Sequence, residues 1–137
     1  MRYENILEFV TTHPVCTLAT CNNATPHVRG FLTNIINEKI YFTTSLAKAV
    51  GRQIIQNPHS ELCYLNSDFS TMLRIRTTLQ ILDDRIIKQQ LIDTRDYLKG
   101  FSVDDESFLL LSLSDSKATF WKLSDNLHED ELEVIAF

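Results

Sequence analysis

Residues that interrupt regular structure are scarce in this sequence, which has three glycines and three prolines among 137 residues. No internal repeat, low-complexity segment or linker is visible either. A chain of this length can bury one hydrophobic core and is too short for two comfortable ones, so a single domain over residues 1–137 is predicted. Hydrophobic residues account for 44% and charged residues for 23%, a balance that argues against intrinsic disorder.

The sequence also lacks a basic tract, and its formal net charge is −5. Nucleic acid is therefore not expected as a partner, because phosphate backbones bind clustered lysine and arginine. No apolar stretch is longer than Phe108–Leu111, far short of the about 20 residues that a helix needs to cross a bilayer. Glu4 and Asn5 stand where a signal peptide would begin its apolar core. We therefore expect a cytoplasmic protein without a membrane partner.

Cysteine is scarce as well: Cys16, Cys21 and Cys63 are odd in number and form no C-x-x-C pair. This pattern suits a reducing cytoplasm in which thiols are buried as small apolar groups. A metal site would have to combine Cys16 or Cys21 with His13 or His27. Cys16 and Cys21 are an odd five residues apart, however, which puts them on opposite faces of any strand that holds both. No metal site is predicted.

The sequence contains a series of short periodic segments. Apolar spacing predicts helices over residues 3–12, 46–56 and 85–99. Strands are predicted at Val15–Thr20, His27–Ile36, Lys39–Thr44, Glu61–Asn66, Thr71–Leu82, Phe108–Leu113 and Lys117–Leu123, with a strand-like tail at Leu132–Phe137. The first three strands are expected to form an antiparallel meander. Six or seven strands with few helices predict an α+β fold, a closed or partly open antiparallel barrel with peripheral helices.

Three hydroxyl residues, Thr43, Thr44 and Ser45, lie where the third strand meets the helix over residues 46–56. Ser45 is predicted to cap this helix, which places Lys48 at its third position. First helical turns favour acids, yet this one has a lysine and no acid. Free backbone N–H groups, hydroxyls and a cation together form an anion site, most plausibly for phosphate. An exposed lysine on a surface helix is an equally good interpretation of this segment alone.

A second cation favours the anion site. The expected meander places the strand that carries Arg29 beside Tyr41–Thr44, so both cations can reach one anion, and arginine suits phosphate recognition. Arg74 and Arg76 lie on the outward face of the long strand, and solvated surface arginine is the preferred interpretation for Arg76. Together with Met72 they form an outward row that is also a candidate dimer interface.

No G-x-S-x-G, H-E-x-x-H, Walker A or G-x-G-x-x-G motif is present, and no pair of catalytic carboxylates can be identified. The histidines have no ligand spacing, and the single tryptophan, Trp121, is expected to pack in the core. The catalytic residues are therefore unknown.

The order of several short motifs resembles the pyridoxamine 5′-phosphate oxidase-like superfamily, most closely its general-stress-protein and nitroimidazole-resistance branches. The motifs are Pro26-His27-Val28-Arg29-Gly30-Phe31, Ile40-Tyr41-Phe42-Thr43-Thr44-Ser45, Lys48-Ala49, Asn57-Pro58 and Leu73-Arg74-Ile75. The resemblance covers residues 3–82 well and the remainder loosely. It implies an FMN-binding split barrel, a six- or seven-stranded antiparallel Greek-key barrel that forms a homodimer with two flavins at the subunit interface.

The resemblance also implies roles for individual residues. Arg29 and Lys48 match the phosphate-binding cations of the family, and Ser45 lies in the loop around the phosphate. Phe42 and Thr43 match an aromatic-threonine pair that contacts the cofactor. Arg74 matches the arginine of a later strand, where its role varies.

Three departures from the family pattern narrow the expected activity. Thr77 stands where a glycine is common, and Met72 replaces a flavin-contacting glutamine. The R-x-H substrate motif of the oxidases is missing, since Asn126-Leu127-His128 keeps only the histidine. Vitamin B6 oxidation is therefore not expected. The leading hypothesis is an FMN-dependent oxidoreductase acting on a small molecule. The alternatives are a non-catalytic flavin, haem or tetrapyrrole binder or sensor, and a protein-interaction module.

Overall fold

The computed structural model describes all 137 residues and is built around one curled antiparallel β-sheet. The strands are β1 (Val15–Asn22), β2 (Thr25–Leu32), β3 (Asn34–Ile36), β4 (Lys39–Ser45), β5 (His59–Leu65), β6 (Thr71–Leu82), β7 (Phe108–Lys122) and β8 (Ile135–Ala136). The helices are α1 (Tyr3–Thr12), α2 (Ala49–Gln56) and α3 (Arg85–Thr94), with 3-10 turns at Asp96–Leu98, Leu123–Asp125 and Glu129–Glu131. The strand order is β2-β1-β5-β6-β7-β4-β3, and β8 pairs with β7. The predicted α+β architecture is confirmed.

Alternation of apolar and polar residues determines the central strand β6. Leu73, Ile75 and Leu79 are buried on one face, as predicted, and the bounds of the strand agree with the prediction at both ends. Arg74 lies on the opposite face, half-buried. The main core of 17 residues lies inside the curled sheet and is covered by α1 and α2, whereas a second, smaller core lies under α3.

The two runs predicted at Phe108–Leu113 and Lys117–Leu123 form one strand, β7. The polar residues between them resemble a turn, but they form a bulge against β6, where Asp115 adopts a φ of 48°. The buried hydroxyls of Thr77 and Ser116 lie 2.9 Å apart and are hydrogen-bonded, which holds the bulge together. Thr77 therefore has a structural partner at the position where the resembled family favours glycine.

The predicted meander of the first three strands is correct in its two antiparallel pairings but wrong in treating the second strand as continuous. The run predicted at His27–Ile36 is broken at Thr33, whose backbone N–H donates to Pro14 and whose hydroxyl lies 2.8 Å from that of Tyr64. The chain turns at this buried residue, so β2 pairs only with β1 while β3 pairs with β4. β2 and β4 consequently lie toward opposite ends of the strand order and are not hydrogen-bonded neighbours.

Other predicted elements differ mainly in length. The helix over residues 3–12 is confirmed, whereas the one predicted over 85–99 ends at Thr94 and continues as a 3-10 turn. The predicted tail strand is reduced to Ile135–Ala136. Trp121 is buried, as expected. None of the three helices has the length and hydropathy that crossing a membrane requires.

Cys16 is buried and Cys21 is exposed, which confirms that they lie on opposite faces of β1. Burial raises the pKa of the Cys16 thiol from 9.0 to about 11. Above about pH 9 the thiol therefore ionises in the unfolded chain while it stays protonated in the folded chain. The thiol's contribution to stability is complete below this pH and is lost as the pH rises toward about 11.

We expect the free energy of unfolding to fall more steeply with pH in the native sequence than in Cys16→Ala. Two pKa units correspond to a difference of at most about 3 kcal/mol between the total falls in the free energy of unfolding of the two proteins. Urea denaturation at about pH 8.5 and about pH 10.5 measures it. Cys21→Ala is the control and should keep the native slope. Equal slopes for all three proteins would show that the Cys16 thiol does not contribute.

Candidate functional site

A cavity of about 430 Å³ lies where β2, the end of β4 and the start of α2 approach one another. Its lining residues are Arg29, Gly30, Phe31, Leu32, Thr43, Lys48, Val50 and Tyr97. The lining contains two cations and no acid, and it includes three of the predicted site residues. Sequence reasoning thus placed Arg29 and Lys48 together correctly, but through a strand pairing that does not exist. The two strands face each other across the cavity.

Packing inside the curled sheet explains how β2 reaches this place. The ring of Phe31 on β2 contacts the ring of Phe42 on β4 edge to face, with centroids 5.8 Å apart. Phe42 is completely buried in the main core. Arg29 is two residues before Phe31, on the same strand face, so this aromatic contact brings its side chain toward the end of β4.

The start of α2 differs from the prediction. Ser45 does not cap the helix, because it remains in β4 paired with Phe108, and the next N–H, that of Leu46, donates to Ser107. Strand pairing therefore delays the helix until Ala49, and Lys48 occupies the N-cap position. The Ser45 hydroxyl instead accepts from the backbone N–H of Ala47 at 3.1 Å and orders the turn before the helix.

The side chain of Lys48 is exposed and forms neither a hydrogen bond nor an ion pair within the chain. The first turn of α2 contains no acidic residue, and no side chain caps its backbone N–H groups. The positive end of the helix and an unpaired ammonium group therefore lie at the same edge of the cavity. Such an arrangement attracts an anion.

Arg29 is the second cation and is held more firmly. Its Nη1 donates to the hydroxyl of Thr20 at 2.8 Å, and its Nη2 donates to the side-chain carbonyl of Gln53. Nη1 also lies 3.4 Å from the carbonyl oxygens of Leu18 and His27. All these partners are neutral, so the guanidinium charge is not compensated. Burial lowers the pKa of Arg29, but guanidinium groups remain charged at neutral pH.

The remaining residues at the end of β4 alternate in direction. Thr43 lines the cavity, whereas Phe42 and Thr44 lie on the other face of the strand, both buried. The hydroxyl of Thr44 is buried and has no hydrogen-bond partner. An unsatisfied buried hydroxyl costs free energy, and here it lies directly beside the residue that lines the cavity.

The structure does not bring Arg74 to this cavity. Its Nη2 contacts both carboxylate oxygens of Glu61 at 3.0 Å, and these bonds raise the pKa of Arg74. Arg74 lines a separate cavity of about 470 Å³ on the outward face of β6, which Met72, Arg76 and Trp121 also line. The reason is topological: in the strand order β7 separates β6 from β4, and β1 and β5 separate it from β2.

Gln53 and Tyr97 were not predicted as site residues from the sequence. Gln53 lies on α2 beyond the lysine, and no motif distinguishes it from a surface glutamine. Tyr97 lies in a 3-10 turn, where its hydroxyl accepts from the side-chain amide of Asn34 at 3.2 Å. The Asn34 carbonyl in turn accepts from Arg95 Nε at 2.7 Å. Both residues reach the site through tertiary contacts that have no sequence signal.

No cluster of three or more His, Cys, Asp or Glu residues is arranged to hold a metal ion.

Comparison with solved structures gives extensive matches. A NimC/NimA family protein from Clostridium acetobutylicum is 26% identical with a TM-score of 0.81, covering 98% of this chain and 93% of that one. A pyridoxamine 5′-phosphate oxidase-related, FMN-binding protein from Nostoc punctiforme is 16% identical with a TM-score of 0.63, covering 98% and 95%. HutZ, the haem storage protein from Vibrio cholerae, is 19% identical with a TM-score of 0.63, covering 83% and 90%. These likenesses confirm the split-barrel fold.

A search of curated proteins finds no match. The family model described as pyridoxamine 5′-phosphate oxidase matches residues 3–122, from the first helix to the end of β7. This span includes every residue that lines the cavity of Arg29 and Lys48. The chain therefore belongs to the pyridoxamine 5′-phosphate oxidase family.

Proposed function

We propose that this protein binds FMN and holds its phosphate in the cavity between Arg29 and Lys48. One observation carries the proposal: two cations without acidic partners share one cavity at the amino end of α2. Family membership and the FMN-binding neighbour from Nostoc punctiforme support the same ligand. Partial desolvation of Arg29 beside neutral partners costs free energy, and a phosphate would offset that cost.

The residues present fit a phosphate monoester. Lys48 and Arg29 would contact its oxygens from two sides, and the free N–H groups of α2 would add neutral donors. Thr43 lies on the same wall and would offer a hydroxyl to the phosphate. Bound flavin would supply electron transfer to or from a small molecule. The role of the chain is to hold the phosphate, orient the ring and admit that molecule.

A homodimer is part of the proposal. The outward row of Met72, Arg74 and Arg76 lines an open cavity of about 470 Å³, and methionine and arginine are enriched at interfaces. The family resemblance implies flavins at the subunit interface, so a second copy would complete the site. Sedimentation equilibrium tests this proposal, and a monomer at micromolar concentration would contradict it.

The three unpaired cysteines suit a reducing cytoplasm.

Haem is the competing ligand, because HutZ shares the fold and is a haem storage protein. Haem proteins commonly bind the iron through histidine. None of the four histidines of this chain lines the cavity of Arg29 and Lys48. The site chemistry therefore favours the phosphate-bearing flavin. A Soret band on the purified protein, in place of flavin absorbance, would reverse this preference.

The test is titration with FMN and with riboflavin, which lacks the phosphate, followed by flavin fluorescence. We expect Lys48→Ala to weaken FMN binding by about 10- to 100-fold, because a charge-assisted contact contributes about 1.5–3 kcal/mol. Riboflavin binding should be unchanged. Lys39→Ala is the matched control, since Lys39 is an exposed lysine at the other end of β4.

Two results would contradict the proposal. Failure of the native protein to bind FMN would leave the cavity without its proposed ligand. An equal loss of FMN and riboflavin binding in Lys48→Ala would mean that the lysine has a structural role and does not contact phosphate.

A further inference from the structure

We propose that Gln53 is a positioning residue, which fixes the guanidinium of Arg29 in the orientation that receives the phosphate of FMN. The proposal rests on the proposed function, because it concerns the same site. It adds a residue that does not line the cavity and that no sequence motif identifies.

Three side chains form a closed ring of hydrogen bonds around this guanidinium. Arg29 Nη1 donates to Thr20 Oγ1 at 2.8 Å, and the Thr20 hydroxyl donates to Gln53 Oε1 at 2.8 Å. The ring closes because Arg29 Nη2 donates to the same Gln53 oxygen. Thr20 is only 3% exposed, so the ring has a rigid side that cannot shift into solvent. The direction of the guanidinium plane is therefore determined by two neutral acceptors.

The chemical identity of Gln53 matters as much as its position. A carboxylate here would hold an arginine equally well but would neutralise its charge. An amide orients the guanidinium and leaves the full positive charge available to an incoming anion. Neutral acceptors leave the charge of the partly buried Arg29 without a counter-ion, and this arrangement is useful when a ligand supplies the negative charge.

Helix α2 links this ring to the second cation. Lys48 immediately precedes the first residue of α2, and Gln53 lies further along the same helix. The Asn22 side chain anchors the same helix, donating to the Gln53 backbone carbonyl at 3.4 Å and to Gln56 Oε1 at 3.1 Å. One short helix therefore sets the positions of both cations relative to each other. This spacing would define the size of the anion that the cavity accepts.

The competing interpretation is that Gln53 only ties α2 to β1 through Thr20. The two roles differ in what a substitution does. If Gln53 is only a structural tie, its substitution should lower stability and weaken the binding of every ligand equally. If Gln53 is a positioning residue, its substitution should weaken only the binding of ligands that carry phosphate, and only when Arg29 is present.

The experiment is a double-mutant cycle of Gln53→Met and Arg29→Ala, with FMN and riboflavin as ligands. Methionine has the length of glutamine without its acceptor. We expect Gln53→Met to weaken FMN binding about tenfold and to leave riboflavin binding within about twofold. In the Arg29→Ala background it should have no further effect on FMN, because the group it positions is absent. Gln90→Met, at an exposed glutamine of α3 that does not line the cavity, is the control.

A second variant keeps the proposal testable if Gln53→Met folds poorly. Gln53→Glu retains the acceptor and should fold, but its charge should weaken FMN binding by more than tenfold while sparing riboflavin. Unchanged FMN affinity in both variants, with Lys48→Ala still defective, would overturn this inference and leave the proposed function intact. Parallel loss of riboflavin binding would show a structural tie. A native protein that does not prefer FMN to riboflavin would overturn both proposals.

Discussion

Replacing Arg29 and Lys48 together by alanine should lower FMN affinity by about two to four orders of magnitude. Each cation contributes about 1.5–3 kcal/mol as a charge-assisted contact, and the two contacts would reach the phosphate from β2 and from the start of α2. The sum is an upper value, because groups that share one ligand oxygen network are not fully additive. Titration of FMN against the double variant, with riboflavin in parallel, measures the effect.

The fold should tolerate this double change. Lys48 has no partner in the chain, and removing Arg29 leaves the hydrogen bond between Thr20 and Gln53 in place. The control is the double variant Lys39→Ala and Arg85→Ala, which removes the same charge from exposed positions outside the cavity. An equal loss of FMN affinity in this control would mean that overall charge, rather than the cavity, attracts the ligand.

A second large effect is expected from Gly51→Ala. A Cβ at this position would overlap the carbonyl oxygen of Ser45 and lie 2.8 Å from its carbon. Both atoms belong to the Ser45 backbone, which is paired with Phe108 in β7 and cannot move without disturbing that strand pairing. We expect the free energy of unfolding to fall by about 3 kcal/mol or more, as measured by urea denaturation.

The same substitution should also reduce FMN affinity. The helix can relieve the overlap only by moving away from β4, and this movement takes Lys48 and Gln53 with it. For stability the matched control is Gly30→Ala, because a Cβ there would lie 3.9 Å from the Cys16 carbonyl oxygen, an ordinary van der Waals distance. A Gly51→Ala protein as stable as Gly30→Ala would show that α2 is loosely packed against β4.

How much of the fold could be predicted depends on whether the signal is local. The alternation of β6 and the apolar spacing of α1 are local, and both elements have the predicted bounds or close to them. The polar residues around Asp115 also gave a local signal of a turn, but pairing with β6 overrode it and produced a bulge. Strand partners are not local at all. The meander was therefore the natural prediction from turn residues, and Thr33 is where it fails.

The features of the candidate site also differ in whether a local sequence signal predicts them. The hydroxyl residues, the missing acid and Lys48 are consecutive in the chain, so the anion site could be predicted from them. The start of α2 could not, because pairing between Ser45 and Phe108 extends the strand. Gln53 and Tyr97 reach the site through contacts with Arg29 and Asn34 that the spacing of residues does not encode.

The placement of the cavity has a mechanical consequence for the sheet. β2 is one end of the strand order and β4 is next to the other end, and no backbone hydrogen bond joins these two strands. An anion held between Arg29 and Lys48 would bridge this seam. The anion would join β2 to the start of α2 at the place where no backbone hydrogen bonds join β2 and β4. Bound phosphate would therefore add a link between β2 and α2 to the two that the chain already has here, the ring contact of Phe31 with Phe42 and the hydrogen bonds of Gln53.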